Sequence, residues 1–169
     1  DWQEGAPYFL PDNETIIFRA WQASVKQRLE EEFKATGKRS QTPMTIFTMK
    51  ADGSDVQPRT FTDDMNWAPF PAPDGRHFVF VRIVDGNNWD VFLGDLAGGE
   101  PRRLTWNPSF DGFPAISPDG RKLVFTRSTG ERFMSDLYTH VMDISSLNLG
   151  PENFQGVPPK ATPPGEATS

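Results

Sequence analysis

The stretch FPAISPDGRKLVFTR, residues 113–127, decides the fold because the chain repeats it. A second copy, APFPAPDGRHFVFVR, occupies residues 68–82, so the offset from residue 68 to residue 113 is 45 positions. A weaker copy, APYFLPDNETIIFR, occupies residues 6–19 and has Asn13 where the other copies have glycine. Self-similarity at this period is typical of repeat architectures.

Each copy has the chemistry of a β-hairpin. In the third copy Pro118 presets φ, Asp119 can accept a hydrogen bond from the backbone ahead of it, and Gly120 takes a positive φ. Asn13 is the next-best residue for a left-handed position. The turn leads into a strongly β-prone run, such as residues 78–81 or 123–126.

The copies continue alike beyond the hairpin. Residues 90–93 predict a third strand, and a Gly98-Gly99 turn leads to a fourth strand at 101–105. Residues 45–49 and 58–62 match these strands in the first copy. The third copy matches at 136–139, and the residues after that no longer follow the repeat. Four short antiparallel strands at a period near 45 make a propeller blade.

We therefore expect an all-β chain with about three four-stranded blades at 1–62, 63–106 and 107–149, and one inserted helical segment at 21–40. The resulting ring, over residues 1–149, is incomplete or completed by a partner. The segment from 150 to 169 predicts a proline-rich extended tail, because proline has no backbone donor and cannot pair as a strand. If this tail is ordered, we expect it to lie across a partner.

Two motifs carry a resemblance to a known family. The turn at residues 117–121 reads SPDGR, and Gly98-Gly99 precedes a strand that ends in Leu104-Thr105. In this order they closely resemble the PD40 or TolB-like repeats, a WD40-like β-propeller family. The resemblance covers roughly residues 2–149 and implies a propeller that is usually six-bladed.

Three blades do not close a ring, because radial propellers have about four to eight blades and each blade packs against its two neighbours. Two blade faces therefore need a cover. The chain is the ordered part of a longer propeller, or two copies form a six-bladed homodimer, or an unrelated partner covers the faces. The residues leave these three alternatives open.

The inserted segment predicts an amphipathic helix. Ser24 and Gln27 form a capping-box pattern, and the helix is expected to end near Gly37. An apolar stripe runs along the helix and forms the candidate partner-binding set: Trp21, Val25, Leu29 and Phe33. The stripe either packs on its own blade or docks on another protein.

Composition excludes several functions. The formal net charge is -6 and basic residues form no long stripe, which argues against nucleic acid as a partner. The sequence contains no run of eighteen apolar residues, so no transmembrane segment is expected. Cysteine is absent, which removes thiolate chemistry and Cys-ligated metals.

The sequence offers few candidate catalytic residues. His77 and His140 are the two histidines, both lie in predicted strands, and neither has the pattern of a general base. Hydrolase, phosphate-loop and metal-pair motifs are missing from the sequence. We expect no enzyme activity, no cofactor and no metal.

Two further residue sets have a structural interpretation. Aspartates in predicted turns lack the alternating spacing of a calcium loop and are explained by turn chemistry: Asp52, Asp74, Asp85 and Asp119. Tryptophans recur near the blade ends and are interpreted as packing anchors: Trp67, Trp89 and Trp106.

The predicted function is a non-catalytic protein-binding or scaffold subunit. The resemblance implies a place in the bacterial cell envelope, periplasmic or otherwise extracytoplasmic, as an accessory component of a larger and membrane-associated complex. Two alternatives remain. One is part of the gating propeller of a prolyl-oligopeptidase-like or tricorn-like protease. The other is a propeller that binds a small ligand or glycan through exposed tryptophan.

Overall fold

A computed structural model describes residues 2–38, 40–84, 88–130 and 134–165. Within them the chain forms three antiparallel sheets, each made of strands consecutive in sequence. The first sheet contains β1 (Trp2–Phe9), β2 (Thr15–Gln22), β3 (Thr45–Lys50) and β4 (Gln57–Pro58). The second contains β5 (Asn66–Pro71), β6 (His77–Val84), β7 (Asn88–Asp95) and β8 (Arg102–Arg103), and the third β9 (Asp111–Ile116), β10 (Lys122–Ser128) and β11 (Leu137–Asp143). These are propeller blades, and the predicted fold class is confirmed.

The turn between the first two strands of each blade has the predicted chemistry. Asp12, Asp74 and Asp119 each accept a hydrogen bond from the backbone N–H two residues ahead. Asn13 has φ 57°, as expected for the residue that replaces glycine there. The same local interaction therefore starts all three hairpins.

Adjacent sheets pack face to face through apolar side chains. Phe78, Phe80 and Phe92 of the second sheet join Ile17 and Ile46 of the first sheet in one buried cluster. Alternate side chains of a strand point to opposite faces, so the residues between these phenylalanines face the other way. The second sheet is thus apolar on both sides.

The opposite face of the second sheet packs on the third sheet. Val79 and Val91 belong to a cluster with Leu123, Phe125 and Ile144. Because the second sheet lies between the other two, it is the one covered by a sheet on each side.

The two end sheets have outer faces that no other sheet covers in the described chain. The first sheet has an apolar cluster of Phe18, Ala20 and Phe47, which consists of residues from β2 and β3 alone. On the third sheet Val141 pairs with Val124 on the face away from the second sheet, and Val141 is 67% exposed. Phe18, Ala20 and Phe47 are themselves buried, whereas Val141 leaves part of the outer face of the third sheet open to solvent, a face that propeller blades bury against a neighbour.

The third sheet differs from the prediction, because it has three strands rather than four. After β11 the chain forms two short 3-10 helices, Ser145–Leu147 and Pro151–Asn153. Pro151 cannot donate a ladder hydrogen bond, and this segment lacks the Gly-Gly turn that precedes β8 in the second blade. β11 therefore remains an edge strand.

The inserted helix is present as α1 (Ala23–Thr36). It begins one residue before the predicted N-cap, Ser24, because β2 runs directly into it without a loop. It ends as predicted: Gly37 has φ +69° and donates its N–H to the carbonyl of Phe33.

The proline-rich segment lies across the chain's own blades. After the 3-10 helix Pro151–Asn153 it has no helix or ladder strand over residues 154–163, and contact with a partner stays a prediction. The Arg59 guanidinium donates hydrogen bonds to the carbonyls of Pro158 and Pro159, and Thr162 donates its N–H to the carbonyl of Ala97. The physical reason is that proline carbonyls are free acceptors, and the blades supply donors for them.

Replacing Asp74 by alanine should destabilise the fold by about 1–3 kcal/mol, because partly buried backbone donors lose their buried acceptor. Asp74 accepts the N–H groups of Arg76 and His77 at 3.0 Å, and its other carboxylate oxygen lies 2.6 Å from the His77 Nδ1. The matched control is D119A, at the equivalent but exposed position, where the loss should be smaller. Urea unfolding of both variants measures this, and equal losses would contradict it.

The effect of D74A should also depend on pH. Burial raises the pKa of Asp74, but hydrogen bonds from His77 and the backbone outweigh it, so the pKa lies below its ordinary value of 3.8. A lowered folded-state pKa stabilises the fold above pH 3.8, and this stabilisation is lost as the pH falls through the folded value. The stability gap between wild type and D74A should therefore narrow below pH 3.8, and a constant gap would be inconsistent with this linkage.

Candidate interaction surfaces

The first strand of every blade, which we call the inner strand, carries the same β-bulge with one residue at positive φ. Ala6, Ala68 and Phe113, at equivalent positions of β1, β5 and β9, have φ of 51°, 47° and 52°, and a proline follows each of them. The pairing of each inner strand with its neighbour shifts register there. Non-glycine residues at positive φ are uncommon, and their repetition marks a feature of the blade rather than an accident.

Beyond these bulges the ends of the inner strands enclose an apolar depression of about 340 Å³, which we call the axial hollow. Equivalent positions of the three blades line it: Tyr8, Phe9, Leu10, Pro11, Asn13, Phe70, Pro71, Ala72, Pro73, Ile116 and Pro118. The Tyr8 ring meets the Phe70 ring edge-on with centroids 5.0 Å apart. The three repeats thus converge on one surface.

The axial hollow has an apolar, partly aromatic lining. Phe9 is 56% exposed and Tyr8 is 44% exposed, so two aromatic rings face solvent at its rim. The residues that line it include no carboxylate, imidazole or amine. Such a lining can bury an apolar side chain of a partner, but it offers no acid–base pair for hydrolysis.

Three of the four predicted partner-binding residues share a second surface. Trp21, Leu29 and Phe33 line a cleft of about 430 Å³ between α1 and the segment that follows it. Val25 is half-buried and is not part of that lining. Trp21 and Leu29 are half-buried and Phe33 is 41% exposed, so the stripe is only partly covered by its own blade. A docking role for it stays a prediction.

Sequence analysis missed a network of buried charges between the second and third sheets. Asp90 and Asp111 are fully buried and pair with Arg103 and Arg127. Asn107 links them, since its N–H donates to Asp90 and its side-chain amide donates to Asp111. These carboxylates are held by ion pairs and hydrogen bonds within the fold, so their role is structural.

The repeat itself contained a signal for this network. Arg82 and Arg127 are 45 positions apart, as are Asn66 and Asp111. The Arg82 Nε donates to the side-chain Oδ1 of Asn66 at 2.8 Å, just as the Arg127 Nε donates to the Asp111 carboxylate at 2.8 Å. Pairs of polar residues that recur at the repeat offset indicate such contacts.

The two histidines and the described turn aspartates named from the sequence contact residues of their own blades. His77 lies against Asp74, and the His140 ring stacks on Phe125 with centroids 5.7 Å apart. Asp52 accepts the N–H of Ser54, as turn chemistry predicts for it. Asp85 lies outside the described residues.

The tryptophans divide into two groups. Trp67 and Trp89 pack edge-to-face with centroids 5.8 Å apart, so these two are packing anchors as predicted. Trp106 is 68% exposed beneath the Arg103 guanidinium, so its interpretation as a packing anchor was wrong. It follows the short strand β8 at the outer rim, where no further strand covers it in the described chain.

The described residues contain neither a metal-binding cluster nor a membrane-spanning helix. Among them, no group of three or more histidine, aspartate or glutamate side chains could hold a metal ion. The helices found in the same part of the chain are too short or too polar to cross a membrane.

The sheet order and stacking define the chain as a set of β-propeller blades, and comparison with known proteins makes the class more specific. No family model matches the chain. It is 34% identical over 86 residues to YuxL, an uncharacterised peptidase of Bacillus subtilis, and 27% identical over 88 residues to the Tol-Pal system protein TolB of Francisella tularensis. These stretches are about half of this chain, which spans only 13% and 20% of the two relatives.

Solved structures show the same similarity. TolB of Acinetobacter baumannii matches with a TM-score of 0.58 at 22% identity, over 84% of this chain and 30% of that protein. A putative TolB of Agrobacterium tumefaciens matches with a TM-score of 0.63 at 22% identity, over 82% of this chain and 46% of that protein. A puromycin-hydrolysing peptidase of Mycobacterium tuberculosis matches at 0.57 and 15% identity, over 96% of this chain and 24% of that protein. The chain is TolB-like in its repeat and its fold.

Replacing Arg127 by methionine should cost about 3–5 kcal/mol, because it leaves the fully buried Asp111 carboxylate without its cation. The control is R76M, which breaks an ion pair of the same kind with Asp95 at the surface, where Arg76 is 57% exposed. That change should cost no more than about 1 kcal/mol. Urea unfolding at neutral pH measures both, and similar losses would show that Asp111 is not a buried ion-pair partner.

Proposed function

We propose that the chain is a non-catalytic, protein-binding propeller unit that acts as a TolB-like scaffold in a bacterial envelope or membrane-associated complex. The observation that carries this proposal is the axial hollow, in which equivalent residues of three blades form an apolar depression with exposed aromatic rings. Aromatic side chains beside a pocket are frequent hot spots of protein interfaces.

The energetics favour a protein as the occupant of the axial hollow. Burial of apolar surface contributes about 25 cal/mol per Å², so covering Phe9 and Tyr8 with a partner's side chain supplies a few kcal/mol. A polar substrate would gain little there, because its own hydrogen bonds to water would be lost without replacement. The lining therefore suits an apolar side chain of a partner better than a hydrophilic ligand.

The outer faces of the first and third sheets support the same role, because no other sheet covers either of them in the described chain. The third sheet exposes Val141 there, and propeller blades bury such a face against a neighbouring blade. We propose that further blades cover them, from a longer chain, a second copy that completes a six-bladed ring, or a partner. The extracytoplasmic, periplasmic location is proposed from the similarity to Tol-Pal system proteins.

A second candidate function rests on the peptidase-named relatives. The similarity to YuxL and the match of the mycobacterial peptidase to 96% of this chain both favour it. In that case the blades would belong to the propeller of a peptidase, and the hydrolase would lie outside these residues. The axial hollow would then contact a hydrolase domain instead of a separate scaffold partner.

Photo-crosslinking in cells of the source organism tests the proposal. The full chain would carry benzoylphenylalanine in place of Phe9 at the rim of the axial hollow. The matched control carries it in place of Phe61, an exposed phenylalanine that follows β4. We expect a discrete protein adduct at position 9 that is absent at position 61 and is displaced by excess wild-type chain. Mass spectrometry identifies the adduct.

The outcomes separate the two candidates. A non-hydrolytic envelope protein in the adduct supports the scaffold role, and a hydrolase domain supports the peptidase role. Used as the competitor instead of the wild-type chain, the variant F9S should displace the adduct at least tenfold less effectively, with little change in its unfolding midpoint because Phe9 is 56% exposed. Equal adducts at both positions, or none at position 9, would refute docking at the axial hollow.

A further inference from the structure

Residues 157–162, which we call the strap, lie in a groove between the first two blades. Arg59 is the centre of this groove, and its side chain is buried. Its Nε donates to the Thr48 hydroxyl at 2.8 Å, and its Nη1 donates to the carbonyl of Leu96. Its Nη2 donates to two successive strap carbonyls, those of Pro158 at 3.0 Å and Pro159 at 3.3 Å.

The far end of the strap is also held through its backbone. Thr162 donates its N–H to the Ala97 carbonyl at 2.9 Å and accepts the N–H of Gly99 at 3.2 Å. Gly98 is required there, since a Cβ at this position would lie 2.0 Å from the Thr162 carbonyl oxygen. Together with the Arg59 contacts, these hydrogen bonds recognise the extended backbone of the strap and not its side-chain polar groups.

Proline suits this groove for a physical reason. Pro158 and Pro159 have no backbone N–H, so the groove need not supply acceptors at those positions. Their carbonyls remain free to accept from Arg59. A proline-containing segment is also largely extended before it binds, which lowers the entropy cost of ordering it.

The strap does not fill the groove. A cavity of about 260 Å³ remains beside Pro158 and Pro159, lined also by Lys50, Asp55 and Arg59. A segment with a longer side chain than proline would find space and charges of both signs there. Gly156 and Gly165, at φ +96° and +86°, flank the strap and have open space around them, so they can serve as joints for its release.

An emptied groove would favour a replacement. Burial lowers the pKa of the Arg59 guanidinium, a sign that its charged form is poorly hydrated, and the nearby Asp55 only partly opposes this. Without the strap its Nη2 would lose two protein acceptors that only water could replace, while Nε and Nη1 would still hold the guanidinium in place for a new chain. A second extended backbone with free carbonyls restores those bonds.

We propose that the Arg59 groove is a binding site for an extended, proline-containing peptide segment of a partner protein. The strap occupies this site in cis and must leave before the partner segment binds. The site is separate from the axial hollow, so it goes beyond the function proposed above and can be tested without it.

The test measures binding of a fluorescein-labelled peptide of residues 155–165 to the full chain by fluorescence anisotropy. A tethered segment has an effective concentration of about 1 mM, so the wild-type chain should show no saturable binding below that level. The release variant A161E/T162P alters only the strap: glutamate cannot take the buried place of Ala161, and a proline cannot donate to Ala97 as Thr162 does. It should bind the peptide at least tenfold more tightly than wild type.

Two controls define the site. The variant R59M, added to the release variant, should weaken peptide binding at least tenfold because the donors to the two proline carbonyls are gone. A peptide carrying A161E should also bind at least tenfold more weakly, and this comparison holds even if R59M fails to fold. Hydrogen exchange should show the Gly99 amide less protected in the release variant, with β6 and β7 unchanged.

Two results would overturn the proposal. In the first, the release variant keeps its blade protection but does not prefer the wild-type peptide over the A161E peptide. In the second, release of the strap unfolds the blades, which would make the strap a structural staple and not the occupant of an exchangeable site.

Discussion

Burial of strand β6 on both of its faces is the constraint on which the rest of the structure depends. Phe78 and Phe80 pack against the first sheet, while Val79, between them in sequence, packs against the third. A strand with this pattern cannot lie on the surface, because each exposed face would leave several apolar side chains in water. The repeat therefore specifies stacking of sheets, and not merely three hairpins.

Stacking brings the inner strands β1, β5 and β9 next to one another. Their bulges and prolines then fall at one level, and the strand ends beyond them create the axial hollow. The strap lies on the same end of the blades, because Asp12 of the first hairpin turn lines the cavity beside Pro158, while its neighbours Pro11 and Asn13 line the axial hollow. One end of the blades thus carries both surfaces to which we assign binding.

Local chemistry explains what the sequence could predict. The turns, the β-prone runs that follow them and the end of α1 at Gly37 depend on contacts a few residues apart, and these agree with the structure. The candidate site was only partly predictable. The stripe of α1 was visible from helical spacing, and three of its members share a cleft, whereas the axial hollow requires residues from three repeats to meet.

Contacts distant in sequence account for the rest. The bond from Arg59 to Pro158 joins residues 99 positions apart, and no pattern near either residue indicates it. The tail was therefore expected on a partner. The missing fourth strand of the third sheet and the exposure of Trp106 likewise depend on which neighbours are present. In contrast, the pair Asp111 and Arg127 could have been found by comparing polar residues at the repeat offset.

The central claim is that further blades or a partner cover the outer faces of the end sheets when the protein is in its working state. The most direct test is the native mass of the particle purified from its source, measured together with the intact mass of the chain. The account predicts a particle heavier than the 19.0 kDa of these residues, in which further blades or a partner protect the edge strand β11 from hydrogen exchange. A stable 19.0 kDa monomer in which the outer face of the third sheet stays open to solvent would contradict it.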